Sequence, residues 1–225
     1  MSTLDTPVSA QKRALRALER ARRAQRDSGY WRRIGEAIDQ VLGECLPPLE
    51  ARPLVVGCFA AIDGEPILQR APGVQAWPRV AGEDLVFHVC ARGELVPGWR
   101  SILEPPTEAP VRRPDVILVP GLAFSPNGAR LGRGKGFYDR YLRTHAALTI
   151  GLTDEAGLYP DVPLASFDYT VDVVVTERHV YVAKKKEQDH GDGRSNRSAD
   201  AGYRARALRR FTAREDAARR RTTPS

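Results

Sequence analysis

A chain of 225 residues, 42% hydrophobic and 28% charged, is long enough to bury one substantial core with tails to spare, so it needs neither disulfide staples nor a structural metal to hold it. Its three cysteines, at 45, 58 and 90, are odd in number and show no CxxC or Cys/His spacing, which argues against a disulfide framework or a zinc site and fits reduced thiols in a cytoplasmic protein. The net charge of +7 is concentrated at the two ends, in Lys12 to Arg26 and Lys184 to Arg221; no run reaches the ~18 apolar residues of a membrane span, and the first residues lack the apolar core of a signal peptide.

In chain order, residues 1–8 read as a flexible N-terminus. Ser9 to Arg26 reads as a helix, with Ser9 able to cap it, Leu15, Leu18 and Ala21 at helical spacing, and a basic, solvated opposite face on which Lys12 and Arg16 stand four apart. A second helix runs from Tyr30 to Cys45 with the stripe Trp31, Ile34, Ile38, Val41, Leu42 and Cys45, and Pro47 and Pro48 stop it. Six strand-length apolar runs follow: Leu54 to Ala61, Ala76 to Val80, Leu85 to Cys90, Val116 to Val119, Leu148 to Leu152 and Val171 to Thr176. Asp63-Gly64 and Ala81-Gly82 suggest hairpins or tight connections, and Glu104 to Pro114 is a proline-rich loop. PDVILVP and VDVVV are apolar at successive positions, as in strands covered on both faces. The fold class is therefore α/β with a mixed sheet, over a single domain at 9–183. From Lys184 the apolar pattern stops apart from Tyr203, Leu208 and Phe211, and 184–225 reads as a basic, disordered or partly helical tail.

The most informative stretch is RLGRGKGFYDRYL at 130–142. Glycines at 128, 132, 134 and 136 permit close backbone approach, Arg130, Arg133 and Lys135 supply charge for a phosphate, and the helix opening at Phe137 offers unpaired N–H groups. Neither standard phosphate fingerprint fits: Gly132, Gly134 and Gly136 read GxGxG, and Ala129 and Gly136 stand where a P-loop needs Gly and Ser or Thr. Taken alone the stretch also suits a flexible basic loop. The order apolar run, Pro-Gly turn, Gly-rich loop and helix favours a ligand site.

VPGLAF at 119–124, RLGRGKGFYDRYL, TIGL at 149–152 and FDYTVDVVVTE at 167–177, with KRALR at 12–16, together resemble the 5-formyltetrahydrofolate cyclo-ligase (methenyltetrahydrofolate synthetase) family from about Lys12 to Glu177. The resemblance implies a three-layer fold of the ribose-phosphate isomerase and CoA-transferase type, and ATP- and Mg²⁺-dependent closure of 5-formyltetrahydrofolate. It assigns Lys12, Arg13 and Arg16, with Arg130, Leu131, Gly132, Arg133, Gly134, Lys135, Gly136, Phe137 and Tyr138, to the nucleotide. Glu65, with Arg133, Gly134, Lys135, Gly136 and Phe137, goes to the folate, Asp139 and Asp168 to magnesium, and Lys135 and Arg133 to charge neutralisation in phosphoryl transfer. Ser125, where an Asp commonly follows LAF, and Phe167, where His or Asn usually precedes the aspartate, depart from the pattern.

Two other readings remain open from the residues. One is a sugar-phosphate isomerase-like enzyme that uses the Gly-rich loop for a substrate phosphate. The other is a nucleic-acid-binding protein acting through its basic ends, against which the lack of interleaved aromatics argues. The expected partners are a folate substrate, no membrane, and nucleic acid only nonspecifically through the tail, with the protein a monomer.

Overall fold

The computed structural model describes residues 7–184 and 201–222. Two helices open it, α1 (Pro7–Ala24) and α2 (Ser28–Cys45), followed by β1 (Val55–Gly57), the hairpin β2 (Val74–Ala81) and β3 (Asp84–Val89), and the short pair β4 (Val96–Pro97) and β5 (Leu103–Glu104). Then come β6 (Val116–Pro120), β7 (Ala123–Phe124), β8 (Arg130–Leu131), α3 (Phe137–Thr144), β9 (Leu148–Leu152), β10 (Val173–Val175), β11 (Val180–Val182) and α4 (Ala201–Thr222).

Seven strands form one sheet in the order β11-β10-β9-β6-β1-β2-β3. The five inner strands are parallel, and β3 and β11 close the two edges antiparallel. Successive residues of β6 face opposite ways, as the pleat requires. Val116 and Leu118 join Ile150, Val173, Val175 and the α2 stripe Ile34, Ile38 and Leu42 in one core, while Ile117 and Val119 join Val174 and the α3 residues Tyr141 and Leu142 in the other. The result is three layers, helix, sheet and helix. It is the mixed α/β architecture expected from the unbroken apolar runs.

Three local expectations give way. The tail forms a helix over 201–222, and Tyr203, Ala207 and Phe211 at i, i+4 and i+8 are 2%, 0% and 0% exposed against the α2 side of the sheet. Too few apolar residues stood there to signal a core face, but three large or close-packed ones at helical spacing cover the valines of β10 and β11. Residues 185–200 and 223–225, the rest of that expected disordered tail, lie outside the described residues, as do 1–6 of the expected flexible start. The expected strand from Leu54 to Ala61 narrows to three residues, because only Val55 to Gly57 pair with β2, and of these Val56 and Gly57 also with β6. Asp63-Gly64 makes a tight turn and Ala81-Gly82 joins β2 to β3, both within the expected hairpins or tight connections.

The third is α1. Leu18 is 57% exposed, and the residues buried on this helix are Lys12, Glu19 and Arg23. Lys12, Arg16, Glu19 and Arg23 recur at i, i+4, i+7 and i+11, so the face turned to the protein is the charged one. Glu19 and Asp154, both fully buried, share Arg22, which donates to Asp154 at 2.6 and 2.8 Å and to Glu19 at 2.8 Å. Tyr30 and Tyr159 complete the network, donating to Asp154 at 2.9 Å and Glu19 at 2.6 Å. Burial of these charges is costly unless every one is paired, and here each carboxylate has at least two partners.

Candidate active site

The chain leaves β1 toward β2 on one side of the sheet and β6 toward β9 on the other, so the sheet's direction of winding reverses between β1 and β6. Such a reversal opens a crevice at the carboxyl ends of the two strands. A pocket of about 190 Å³ lies there, lined by Phe59 and Ala60 after β1, Pro120 and Gly121 at the end of β6, and the whole of 130–139.

Its two halves differ in chemistry. Phe59, Ile62, Val80, Leu85, Trp99, Ile102 and Leu103 make an apolar half, closed by the edge of Trp99 against Phe137 at 5.4 Å between centroids. Lys12, Arg16, Arg130, Arg133, Lys135, Asp139 and Asp168 make the charged half. The glycines act as expected where the backbone demands it: Gly134 has φ +100° and Gly136, which caps α3, has φ +71°. Gly132 has an ordinary φ but no room, since a Cβ there would stand 2.8 Å from the Arg130 guanidinium.

The structure brings together every sequence-assigned residue except Arg13, which is exposed and does not line the pocket. Their charges are unequally available. Arg130 is 6% exposed and donates to Asp139 at 2.7 Å and to the Pro120 carbonyl at 3.3 Å, leaving its Nε buried without a partner among the described residues. Arg133 donates through Nε to Glu65 at 3.0 Å and through Nη2 to the Asp63 carbonyl at 3.1 Å. Lys12 pairs with Asp168 and lies 5.6 Å from the exposed Phe167 ring. Arg16 donates to the Gly132 carbonyl at 2.9 Å, and burial, then neighbouring Arg20, holds its pKa down. The exposed Lys135 ammonium has no ion pair among the described residues.

Glu65 sits at the wall between the two halves. It is 4% exposed, accepts from Arg133 and from the Ile62 N–H at 3.2 Å, and burial pushes its pKa up against the pull of Arg133. Its segment is set by a close crossing: a Cβ on Gly35 of α2 would stand 2.0 Å from the Ile67 carbonyl, and Ile67 N–H bonds Trp31 at 3.1 Å. Tyr138 keeps its hydroxyl buried and without a hydrogen bond among the described residues, with its pKa raised by burial and then by Glu65. Ser125, one of the two departures, is fully buried, and its hydroxyl likewise has no hydrogen bond among the described residues.

Trp99, Ile102 and Leu103 escaped the sequence reading. They belong to the 96–104 excursion between β4 and β5, which carries no motif; the positive φ of Arg100 (53°) and Ser101 (63°) is invisible in residue types that normally avoid it.

The 5-formyltetrahydrofolate cyclo-ligase family model matches residues 83–177, which contain the glycine-rich loop, Asp139 and Asp168 but neither α1 nor Glu65. The Escherichia coli K12 5-formyltetrahydrofolate cyclo-ligase is 31% identical over 146 residues, covering 56% of this chain and 79% of that protein. The chain belongs to this family. The Mycolicibacterium smegmatis cyclo-ligase is 40% identical over 98 residues, and a probable cyclo-ligase from Caenorhabditis elegans is 40% identical over 70; these matches span 50% and 34% of those relatives' length. The solved structure of Aquifex aeolicus 5,10-methenyltetrahydrofolate synthetase superposes with a TM-score of 0.65 at 27% identity, covering 80% of this chain and 99% of that one.

Proposed function

We propose that this cyclo-ligase family member uses ATP to close 5-formyltetrahydrofolate to 5,10-methenyltetrahydrofolate, releasing ADP and phosphate. The observation that carries the reading is the divided pocket, whose apolar half suits a flat ring and whose adjoining half presents the unpaired Lys135 beside a helix N-terminus. A formamide oxygen is a poor leaving group. Taking up the γ-phosphoryl group turns it into an imidate phosphate; N10 of the folate then attacks the formyl carbon and gives up its proton, phosphate departs with the electrons of the C–O bond, and the methenyl bridge remains.

The side chains contribute positioning and charge. Lys135 and Arg16 neutralise the phosphoryl oxygens as charge moves, and the N–H groups opening α3 point to the same place. Glu65, buried and carrying an acceptor pair, holds the adjacent N–H donors of the pterin ring, and the Arg133 guanidinium favours its charged form against the burial that raises its pKa. Trp99 and Phe137 exclude water from the ring.

Magnesium fits two carboxylates. Asp139 accepts from Arg130 and from the Tyr169 N–H (3.2 Å) through Oδ1, and Asp168 from Lys12 and from the Ala165 N–H (2.5 Å) through Oδ2; no hydrogen bond reaches the other oxygen of either among the described residues. Asp139 and Asp168 would hold the ion, which would draw charge off the transferred group.

No helix among the described residues is long and apolar enough to cross a membrane. The three free cysteines suit a reducing cytoplasm. The exposed Arg209, Arg220 and Arg221 of α4 are where any nucleic-acid contact would run, nonspecifically and with steep salt dependence. The test is direct: purified protein, Mg-ATP and 5-formyltetrahydrofolate should yield the methenyl chromophore and one ADP for each ring closed. Folded protein that yields neither over a range of substrate and metal concentrations overturns the reading.

A further inference from the structure

Arg23 of α1 lies outside the pocket and is 3% exposed. Its guanidinium bonds its own helix and three other segments: Nε donates to Glu19 at 3.3 Å, Nη1 to the Gly64 carbonyl, and Nη2 to the Leu122 carbonyl at 2.6 Å and the Thr153 hydroxyl at 3.1 Å. Two of these acceptors are one step from the site. Gly64 precedes Glu65, and the Leu122 N–H donates at 2.7 Å to the carbonyl of Leu131, the residue before Gly132. Arg133 closes the ring from the far side, through Glu65 and the Asp63 carbonyl.

We propose that Arg23 is a positioning residue that fixes the separation between the Glu65 segment and the glycine-rich loop, and so decides how well the substrate ring is held. This rests on Glu65 as the folate-holding group. Only a guanidinium can do it: the two carbonyls lie on different segments, and the planar fork reaches both while a carboxylate at its Nε balances its charge. An ammonium at the end of a lysine would satisfy one segment and release the other. Gly64 gives an independent handle on the same contact. With φ +83°, it packs so closely that a Cβ would stand 2.9 Å from Cβ and 3.2 Å from Cδ of Arg23.

Arg23→Lys and Gly64→Ala, singly and together, test this through calorimetric binding of 5-formyltetrahydrofolate and of Mg-ATP, with kcat measured alongside. Each single variant should weaken folate binding about tenfold, the loss of roughly one charged hydrogen bond, and leave Mg-ATP affinity within about twofold. The double variant should be no worse than the poorer single one, since both cut one link. Folate and ATP binding falling together, in step with the melting temperature, or native folate binding in both variants, overturns the proposal. Hydrogen exchange on the ligand-free protein separates it from the reading beneath it. Faster exchange at 62–66 and 131–134 in Arg23→Lys, with no folate bound even by the unaltered protein, would sink the folate reading and keep the link; unchanged exchange in those segments sinks the link.

Discussion

Removing the Phe211 side chain tests whether α4 is part of the core. Phe211 is fully buried among the residues that cover β10 and β11, together with Tyr203 and Ala207. A fully buried Phe→Ala change costs about 3–5 kcal/mol, from lost transfer free energy plus the cavity left behind. In a chain of this size each kcal/mol moves the midpoint by roughly 2–4 °C, so Phe211→Ala should lower Tm by about 6–20 °C. Leu18→Ala, on the exposed face of α1, is the control and should stay within about 0.5 kcal/mol of the parent. Thermal unfolding followed by circular dichroism reads both. A Phe211→Ala protein melting within about 1 °C of the parent would show that α4 rests on the sheet without stabilising it, and the core assignment would fall.

Lys135→Ala should cut kcat by roughly two or more orders of magnitude, as loss of a transition-state cation does, whereas Glu65→Gln should raise the folate Kd and leave Mg-ATP binding near native; steady-state kinetics with each substrate varied decides. Burial holds the Glu65 carboxyl above its ordinary 4.5, so folate binding should weaken on acidification at a higher pH than an exposed glutamate would give, and Glu65→Gln should lack that limb in a binding profile. For Asp154, burial alone would raise the pKa, but hydrogen bonds and charge from Arg22, then Tyr30, leave it below the ordinary 3.8. Its contribution to stability is therefore present above that value and lost as pH falls through the lowered pKa, so Asp154→Asn should be less stable at neutral pH and should flatten the acid limb of a denaturation series. Chelating magnesium should abolish turnover in the chromophore assay, and restoring the ion should recover it.

The sheet was legible because its inner strands are unbroken in apolar character: VILVP and VVV can sit only where helices cover both faces. The phosphate end was legible because glycines and cations crowd into seven residues from Arg130. What stayed hidden was interaction at a distance. Nothing in the order of residues says that Arg130 belongs to Asp139, nine positions on, or that Arg133 belongs to Glu65, so two of the three expected phosphate cations are committed to carboxylates. On α1 the period of four and three was present, but in Lys12, Arg16, Glu19 and Arg23; a search for apolar stripes passes over a charged one. Tyr203, Ala207 and Phe211 had the right spacing too, masked by eight arginines in one 22-residue helix.

The position of α4 in the chain matters during synthesis. The sheet face formed by Val173, Val175 and Val180 is made before the helix that covers it, and at least residues 185–200 must be added between them. A growing chain that has completed β11 thus presents uncovered valines beside an edge strand, a surface to which other nascent chains can stick. Arrest or truncation between β11 and α4 should leave a product that is insoluble as well as unstable, and its rescue by a holdase in a translation extract would measure how much of this fold depends on the last helix arriving.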